Sequence, residues 1–459
     1  MAPSPSPSQV ARILLSWHSL ELISCTTLQT LWAGYGHICA LTVRATTASA
    51  AAHLRTLYGE ESDCNSNSHS NSESTSDTYP LILKLISPPS PNTPSDSDSD
   101  SDPAEHDEGH LRKLLSYTVE QYFYTTIVPH LDPNLGIAKC LASTRDDTHG
   151  NPGAEDLRGL TATIMVDLRV RYPVTPAGKR GVLNAAQVRG ALDWMAGFHA
   201  RAWEVQAWRP EGLRGEGVVL PPLEEIRRRD GEDSGTGTGG GTGKGIWLNG
   251  GYTYLATRRK EYAGLAADGD SEWAQALCAP VSAASPGLSS LSVAEMVAES
   301  LTPRGRAVES WIHGDVKSEN LFTTRAGDEV AFFDFQYVGF GLGVCDLAKL
   351  FTCSVPLHML VDADLHESLP QELAMCDGER RLLEWYRGGL LKEEKKEGSL
   401  YEWDTFKRHW ETALVDWCRF QASWGFWGNT EWLEARVRSI LGDQGWRDWL
   451  HQDISSRNA

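Results

Sequence analysis

Two short motifs constrain the fold of this chain more than any other feature of its sequence. Residues 313–320 read His-Gly-Asp-Val-Lys-Ser-Glu-Asn, and Asp334-Phe-Gln follows a β-like run at 329–333. A run of this kind predicts a strand, so the carboxylate of Asp334 is expected to emerge where that strand ends. The fold therefore has to present a loop and a strand end that both carry acidic side chains.

β-rich and helical patterns are unevenly distributed along the chain. β-rich runs lie at 23–32, 37–44, 79–86 and 161–168, the first two joined by the turn sequence Ala33-Gly-Tyr-Gly. Helical patterns lie at 111–130, at 184–203 with Asn184 as the N-cap, and over most of the sequence beyond Pro356. Strands first and helices later predict an α+β protein.

The length of the chain predicts more than one compact part. Its 459 residues exceed the usual size of a single hydrophobic core. We expect an N-terminal lobe at 1–168 that carries a small sheet and a larger, mainly helical lobe at 169–459. Three segments are too polar or too glycine-rich to pack and are expected to be inserts: 59–78, 87–109 and 229–245.

Composition argues against several classes of partner. The net charge of −19 disfavours nucleic acid and anionic membrane surfaces, because both reward clusters of Lys and Arg. No uncharged stretch is long enough to span a bilayer and no apolar leader follows Met1, so a cytoplasmic location is predicted. The nine cysteines are scattered without a Cys-x-x-Cys pair, which favours reduced thiols over a metal or redox centre.

A single charge, Lys84, stands in the middle of the apolar run at 79–86. A lysine at a strand edge can extend its ammonium group to water, whereas a lysine that faces a cleft needs a carboxylate to offset its desolvation. Glu120 lies close to the apolar face of the predicted helix at 111–130 and is the candidate partner. The pair favours a functional lysine over a surface one.

The motifs resemble those of a known superfamily. H-G-D-x-x-x-x-N at 313–320, then D-F-Q, then Gly343-Val-Cys-Asp-Leu-Ala are similar to the aminoglycoside phosphotransferase and choline kinase-like superfamily, and within it to the group related to ecdysteroid kinases. Residues 116–124 resemble the Glu-bearing helix of that group, and the likeness extends from Trp32 to Phe351. It implies a two-lobed protein-kinase-like fold, with a small antiparallel sheet in the N-terminal lobe and a larger helical C-terminal lobe.

The resemblance also implies roles for individual residues of the two motifs. Asp315 would be the catalytic base that orients the acceptor hydroxyl, and Lys317 would contact the γ-phosphate. Asn320 and Asp334 would be the Mg²⁺ ligands. His313 and Asp346 are assigned to support of the loop.

Four residues upstream are implied in nucleotide binding by the same resemblance. Lys84 would contact the α- and β-phosphates of ATP, steadied by Glu120. Met165 and Val166 belong to a hinge-like segment and would bind the nucleotide. The predicted cofactors are therefore ATP and Mg²⁺.

The expected activity is ATP- and Mg²⁺-dependent phosphorylation of a hydroxyl on a small-molecule alcohol. A protein kinase is the first alternative, which the short stretch from Asp334 to Asp346 and the lack of an Ala-Pro-Glu motif disfavour. The second is a catalytically silent kinase fold used for binding or as a scaffold, because fold alone does not decide activity. The motifs identify neither the acceptor nor the oligomeric state.

Two further patterns have both a functional and a packing interpretation. Trp403, Trp410, Trp417 and Trp424 recur along one side of a predicted helix. They would either cage a quaternary ammonium group through cation–π attraction or pack in the helical lobe, and packing is favoured. His199, on an apolar helical stripe, is interpreted as a core histidine.

Overall fold

The computed structural model describes most of the chain. The described residues are 5–31, 34–59, 78–88, 103–145, 150–176, 180–204, 217–233, 245–281, 291–365, 367–392 and 401–456. Most of the inserts predicted at 59–78, 87–109 and 229–245 lie outside them, as do Trp32 and Ala33. Residues 103–109 and 229–233 of those predicted inserts are described, and both stretches belong to helices. The chain divides into two compact units, Met1–Val170 and Arg171–Ala459, each of which has its own internal packing.

The first unit is built around an antiparallel sheet. Its elements are α1 (Pro7–Ser16), β1 (Leu20–Thr30), β2 (Gly36–Ala45), α2 (Ala48–Tyr58), β3 (Thr78–Ile86), α3 (Pro103–Tyr122), β4 (Cys140–Ser143) and β5 (Thr161–Val166). The strands described here run in the spatial order β1-β2-β3-β5-β4, and each neighbouring pair is antiparallel. This arrangement confirms the antiparallel sheet predicted for the N-terminal part of the chain.

Strand β3 lies inside this sheet. Lys84 is paired with Ile38 of β2 on one side and with Thr163 of β5 on the other. Its neighbours Leu83 and Leu85 are buried. A lysine in this position has no strand edge from which to reach water, so its charge has to be met inside the unit.

The helix predicted at 111–130 changes form before its end. Helix α3 ends at Tyr122 and is followed by one π-helical turn, Phe123–Ile127, and a short 3₁₀ turn, Val128–His130. The hydroxyl of Thr125 donates to the carbonyl of Gln121 at 2.8 Å. A side chain that competes for a helical carbonyl and a run of β-branched residues both weaken regular α-helix here.

The second unit is mainly helical. Its elements are α4 (Ala185–Glu204), β6 (Gly217–Val219), α5 (Pro222–Asp233), β7 (Gly245–Trp247), α6 (Arg259–Ala267), α7 (Val293–Leu301), β8 (Ser310–Ile312), β9 (Leu321–Thr323), β10 (Val330–Phe332), β11 (Gly339–Gly341), α8 (Val344–Cys353), α9 (Asp377–Lys392), α10 (Trp403–Trp424), α11 (Thr430–Gly442) and α12 (Gln444–Ser455). Together with the sheet of the first unit, these helices confirm the predicted α+β class.

Asn184 caps α4 as its sequence predicts. The Oδ1 of Asn184 accepts the backbone N–H groups of Ala186 and Gln187 at 3.0 Å, and the Asn184 N–H donates to the Gln187 side chain. This reciprocal pattern satisfies donors that a helix start otherwise leaves unpaired. The cap fixes the start of the helix that carries His199.

Short strands in the second unit support the two motifs. β9 and β10 form an antiparallel hairpin, and β11 lies between β7 and β8 in a second sheet. Strand β10 agrees with the strand predicted at 329–333, whereas the other strands were not predicted. They are three residues long, which is too short to show an alternating pattern.

Helix α10 forms the centre of the helical packing. It packs against α6, α7, α8 and α11, and the fully buried Trp410 meets Phe351 of α8 edge to face. The Trp410 indole N–H donates to Glu379 at 2.8 Å, and Arg436 pairs with the same carboxylate at 2.8 Å.

Within the described ranges, no helix is long and apolar enough to cross a membrane.

Candidate functional site

The loop at 313–320 is held by a buried carboxylate from α8. Asp346 accepts the backbone N–H of His313 at 2.7 Å and that of Gly314 at 2.9 Å. His199, also fully buried, lies 3.2 Å from the same carboxylate and 2.7 Å from the Tyr386 hydroxyl. Burial alone would raise the pKa of Asp346, but the hydrogen bond and charge of His199 outweigh it and lower that pKa.

Only glycine fits at position 314, at the start of this loop. Its φ is +85°, which L side chains rarely adopt. A Cβ at this position would lie 2.4 Å from the carbonyl oxygen of Tyr337 and 2.6 Å from the backbone nitrogen of Gly251. The glycine therefore lets the loop pass close to two neighbouring backbone segments.

Asp315 is fixed by two residues of its own motif. Lys317 Nζ lies 2.9 and 3.1 Å from its two carboxylate oxygens, and Asn320 Nδ2 donates to its Oδ2 at 2.9 Å. Burial lowers the pKa of Lys317, but the adjacent Asp315 charge outweighs this and raises it above the ordinary value. Lys317 therefore remains a cation beside the Asp315 carboxylate.

Asp334 lies next to Asn320 because of the β9–β10 hairpin. Asn320 precedes β9, Asp334 follows β10, and the intervening Phe333 N–H donates to the Asn320 carbonyl at 3.0 Å. Asp334 has a left-handed backbone, with φ of +67°, and its Oδ1 accepts from Gln336 at 2.7 Å. A non-glycine residue in this region is strained, and such strain is often kept at functional positions.

Asn320 and Asp334 both carry side-chain oxygens of the kind that Mg²⁺ prefers. The Asn320 amide nitrogen is committed to Asp315, and no described residue donates a hydrogen bond to its Oδ1. That oxygen and the Asp334 carboxylate are hard donors, which Mg²⁺ prefers, and Mg²⁺ is commonly bound by one or two such groups together with phosphates. The two residues therefore fit the predicted cation.

A cavity of about 330 Å³ opens beside Asp315 in the second unit. Lys317 and Glu319 line it from the loop, and Lys349 lines it from α8. Aromatic rings form another part of its wall: Tyr252, Trp417, Trp424, Phe426 and Trp427. Its volume is in the range of small-molecule sites.

The first unit brings three of its four predicted residues together. Lys84 Nζ lies 2.5 Å from the Glu120 carboxylate, and their side chains are 10% and 6% exposed. Met165 lines a small cavity with both residues. Val166 is buried in β5, and its backbone N–H donates to the Lys139 carbonyl at 3.0 Å. That N–H is therefore engaged within the protein.

The tryptophan series proves to have two parts. Trp410 and Trp417 are buried as core packing predicts, whereas Trp424 is 57% exposed. Trp417 and Trp424 line the cavity beside Asp315. The packing interpretation therefore holds for Trp410, while the end of α10 belongs to the candidate site.

Among the cations at this site, Lys349 and Arg258 were not predicted from the sequence. Lys349 stands in an apolar run of α8, 347–351, which is the same signal that drew attention to Lys84. Arg258 precedes α6 and lies over the Trp424 ring at 5.2 Å. Nothing local in the sequence near Arg258 indicates that contact, because it depends on how α6 and α10 pack.

Comparisons with solved structures give low TM-scores. An ethanolamine kinase from Plasmodium vivax shares 12% identity, with 94% of this chain and 84% of that chain covered and a TM-score of 0.35. A choline kinase from Cryptosporidium parvum shares 10%, with 98% and 94% covered and a score of 0.34. An aminoglycoside-3'-phosphotransferase of type VIII shares 13%, with 88% and 94% covered and a score of 0.32.

Sequence comparison gives a family for part of the chain. No curated protein matches it. A model of the phosphotransferase enzyme family matches residues 182–385, a range that contains both motifs, Asp346 and Lys349. Over residues 182–385, this match agrees with the resemblance to phosphotransferases that the two motifs indicate.

Proposed function

We propose that this protein is a small-molecule kinase, which transfers the γ-phosphoryl group of ATP to a hydroxyl of a small alcohol. The observation that carries the proposal is the position of Asp315, which borders the cavity while Lys317 and Asn320 fix its carboxylate. A carboxylate held in this way can accept the proton of a bound alcohol. The family match at 182–385 supports the same reaction class.

The proton and bond changes follow from that arrangement. The acceptor hydroxyl would give its proton to Asp315, and its oxygen would form the new bond to the γ-phosphorus. The bond from that phosphorus to the bridging oxygen breaks, and ADP leaves. Lys317 lies close enough to Asp315 to offset negative charge there, and Asn320 keeps the carboxylate oriented.

Nucleotide binding is assigned to two groups of residues. Asn320 and Asp334 would hold Mg²⁺, which neutralises charge on the phosphates when bound. Lys84 would contact the α- and β-phosphates, with Glu120 fixing its position. Met165 of the hinge-like segment would bind the nucleotide, and it lines a small cavity with Lys84 and Glu120. Val166 would bind the nucleotide with a group other than its backbone N–H, because that N–H already donates to the Lys139 carbonyl.

The chain segment after Asp334 favours this reaction over protein phosphorylation. Residues 335–337 form a short 3₁₀ turn, β11 lies between two other strands, and α8 begins at Val344. The segment between Asp334 and Asp346 is therefore occupied by regular structure. Protein kinases need a long activation segment at this place.

A calorimetric titration with ATP tests the proposal without knowledge of the acceptor. Wild-type protein is expected to bind ATP in a Mg²⁺-dependent manner, and Asp334→Ala is expected to lose that dependence. The matched control is Glu372→Ala, which removes an exposed carboxylate of the same unit. Failure of the wild-type protein to bind ATP would overturn the kinase proposal and favour a silent binding module.

A further inference from the structure

Lys349 is a buried cation at the wall of the candidate acceptor cavity. The residue is 4% exposed and lines the cavity that also contains Asp315. Its Nζ lies 3.4 Å from the position that a Cβ would take at Gly251, next to the carbonyl of Gly314. The ammonium group therefore lies beside Gly251, whose backbone packs against Gly314 of the motif loop.

The protein provides Lys349 with little compensation for its burial. Among the described residues its one hydrogen bond is a long contact of 3.4 Å to the Cys345 carbonyl, and no carboxylate lies within ion-pair distance. Asp346 is one turn away on α8, but its oxygens already serve His313, Gly314 and His199. The Asp346 charge attracts Lys349 from beyond ion-pair distance, so an anion in the cavity would be the first negative group in direct contact with the ammonium group.

Side-chain cations of the protein already lie over three aromatic rings of the cavity wall. The Arg258 guanidinium lies 5.2 Å from the Trp424 ring centre and 5.4 Å from that of Tyr252. Lys349 Nζ lies 5.8 Å from the Trp417 ring centre. Rings used in this way are poor sites for a second cation, because the cation–π attraction is taken and like charges repel.

Basic residues outnumber acidic ones in the cavity lining, with Arg180, Lys317 and Lys349 against Asp315 and Glu319. Asp315 pairs with Lys317, and Glu319 accepts the backbone N–H of Arg180 at 2.9 Å. Arg180 also lines the cavity. Electrostatics at this wall therefore favour an anionic ligand over a cationic one.

We propose that the acceptor is an alcohol that also carries a carboxylate, with the carboxylate paired to Lys349 and a planar apolar body against Trp424 and Trp427. That the ligand is a phosphoryl acceptor rests on the proposed kinase function. The ligand site itself is inferred from Lys349 and the aromatic wall of the cavity. Amine-bearing alcohols are disfavoured by the same contacts. Lys349 is thus assigned as a specificity residue.

The test uses three probes with one skeleton: 4-(hydroxymethyl)benzoate, 4-(hydroxymethyl)benzamide and 4-(aminomethyl)benzyl alcohol. Their affinities for the full chain are measured by ligand-observed NMR titration without nucleotide. The benzoate is expected to bind wild-type protein at least about tenfold more tightly than either of the others, the effect of one charged hydrogen bond. Lys349→Met is expected to remove that preference, whereas Lys392→Met, at an exposed lysine of α9, is expected to retain it.

Each outcome decides for or against the site. Equal or tighter binding of the amine, no binding of the benzoate, or an unchanged benzoate affinity in Lys349→Met would overturn it. Thermal unfolding establishes whether Lys349→Met folds, and if it does not, the order of the three probes on wild-type protein still decides. Preference for the benzoate in a protein that fails to bind ATP would support the anion site and refute the kinase.

Discussion

Asp346 accepts the backbone N–H of Gly314 at 2.9 Å, so the motif loop is oriented by the first turn of α8. The same carboxylate takes the N–H of His313. An acceptor-only group is needed here, because both loop groups are donors. The loop geometry therefore depends on a residue that lines no cavity of the site itself.

Replacing Asp346 with Asn is expected to destabilise the second unit. The amide would bring an N–H₂ group to a place where three donors converge, which leaves buried donors unpaired. We expect a loss of about 2–3 kcal/mol in the free energy of unfolding. Urea denaturation measures it, with Asp404→Asn at an exposed position of α10 as the control. A loss no larger than that of the control would contradict the support role.

Gly314→Ala is expected to be far more costly than the same change elsewhere. The new methyl group would meet the Tyr337 carbonyl at 2.4 Å, in a backbone conformation that disfavours L residues. A cost of about 2–4 kcal/mol follows from strain and overpacking. Gly264→Ala in α6, where a Cβ meets nothing within 4 Å, should be neutral or stabilising. Thermal and urea unfolding of both variants compare them, and similar values would refute the close approach.

The buried ion pair of Lys84 and Glu120 is expected to behave as a coupled unit. Lys84→Met or Glu120→Gln alone would leave one uncompensated charge and cost about 3–5 kcal/mol. The double variant should cost clearly less than the sum of the two. A double-mutant cycle on urea unfolding measures this coupling. The exposed pair Arg44–Glu21, 48% and 54% exposed, serves as the control and should show less than about 1 kcal/mol.

His409 makes stability depend on pH. Burial, reinforced by the positive charge of Arg306, lowers the pKa of His409 to about 3. The unfolded chain binds this proton near pH 6.5, so the unfolded state takes up more protons below that pH and stability falls as pH falls. The contribution is a loss of about 1.5 kcal/mol between pH 6.5 and pH 5.

His409→Gln isolates that contribution from other titrating groups. Glutamine can keep a hydrogen bond to the Tyr401 hydroxyl, which now lies 2.6 Å from His409 Nδ1. The free energy of unfolding of the variant should therefore change less between pH 6.5 and pH 5 than that of wild type. Parallel pH curves for the two proteins would show that His409 is not responsible.

The sequence predicted the parts of the site that are close together along the chain. Asp315, Lys317 and Asn320 belong to one short motif, and Asp334 follows a recognisable strand, so their arrangement needed little tertiary information. The pairing of Lys84 with Glu120 was predicted because a lone charge in an apolar strand requires a partner. Their proposed roles remain predictions.

The aromatic and cationic wall of the cavity could not be predicted in this way. Tyr252, Arg258 and Trp424 come from separate segments, and only the packing of α6 against α10 brings them together. Heptad spacing placed Trp417 and Trp424 on one helix but could not show where α10 ends relative to Asp315. Lys349 carried the same signal as Lys84, a charge in an apolar run, but the acidic residue next to it in sequence, Asp346, was assigned to support of the loop.

The position of β11 has a consequence for control of the protein. Gly339 is paired with Trp247 on one side and with Ile312 on the other, so the segment that follows Asp334 is already locked into a sheet. A covalent modification of this segment would have to break these sheet contacts before it could rearrange the residues that follow Asp334.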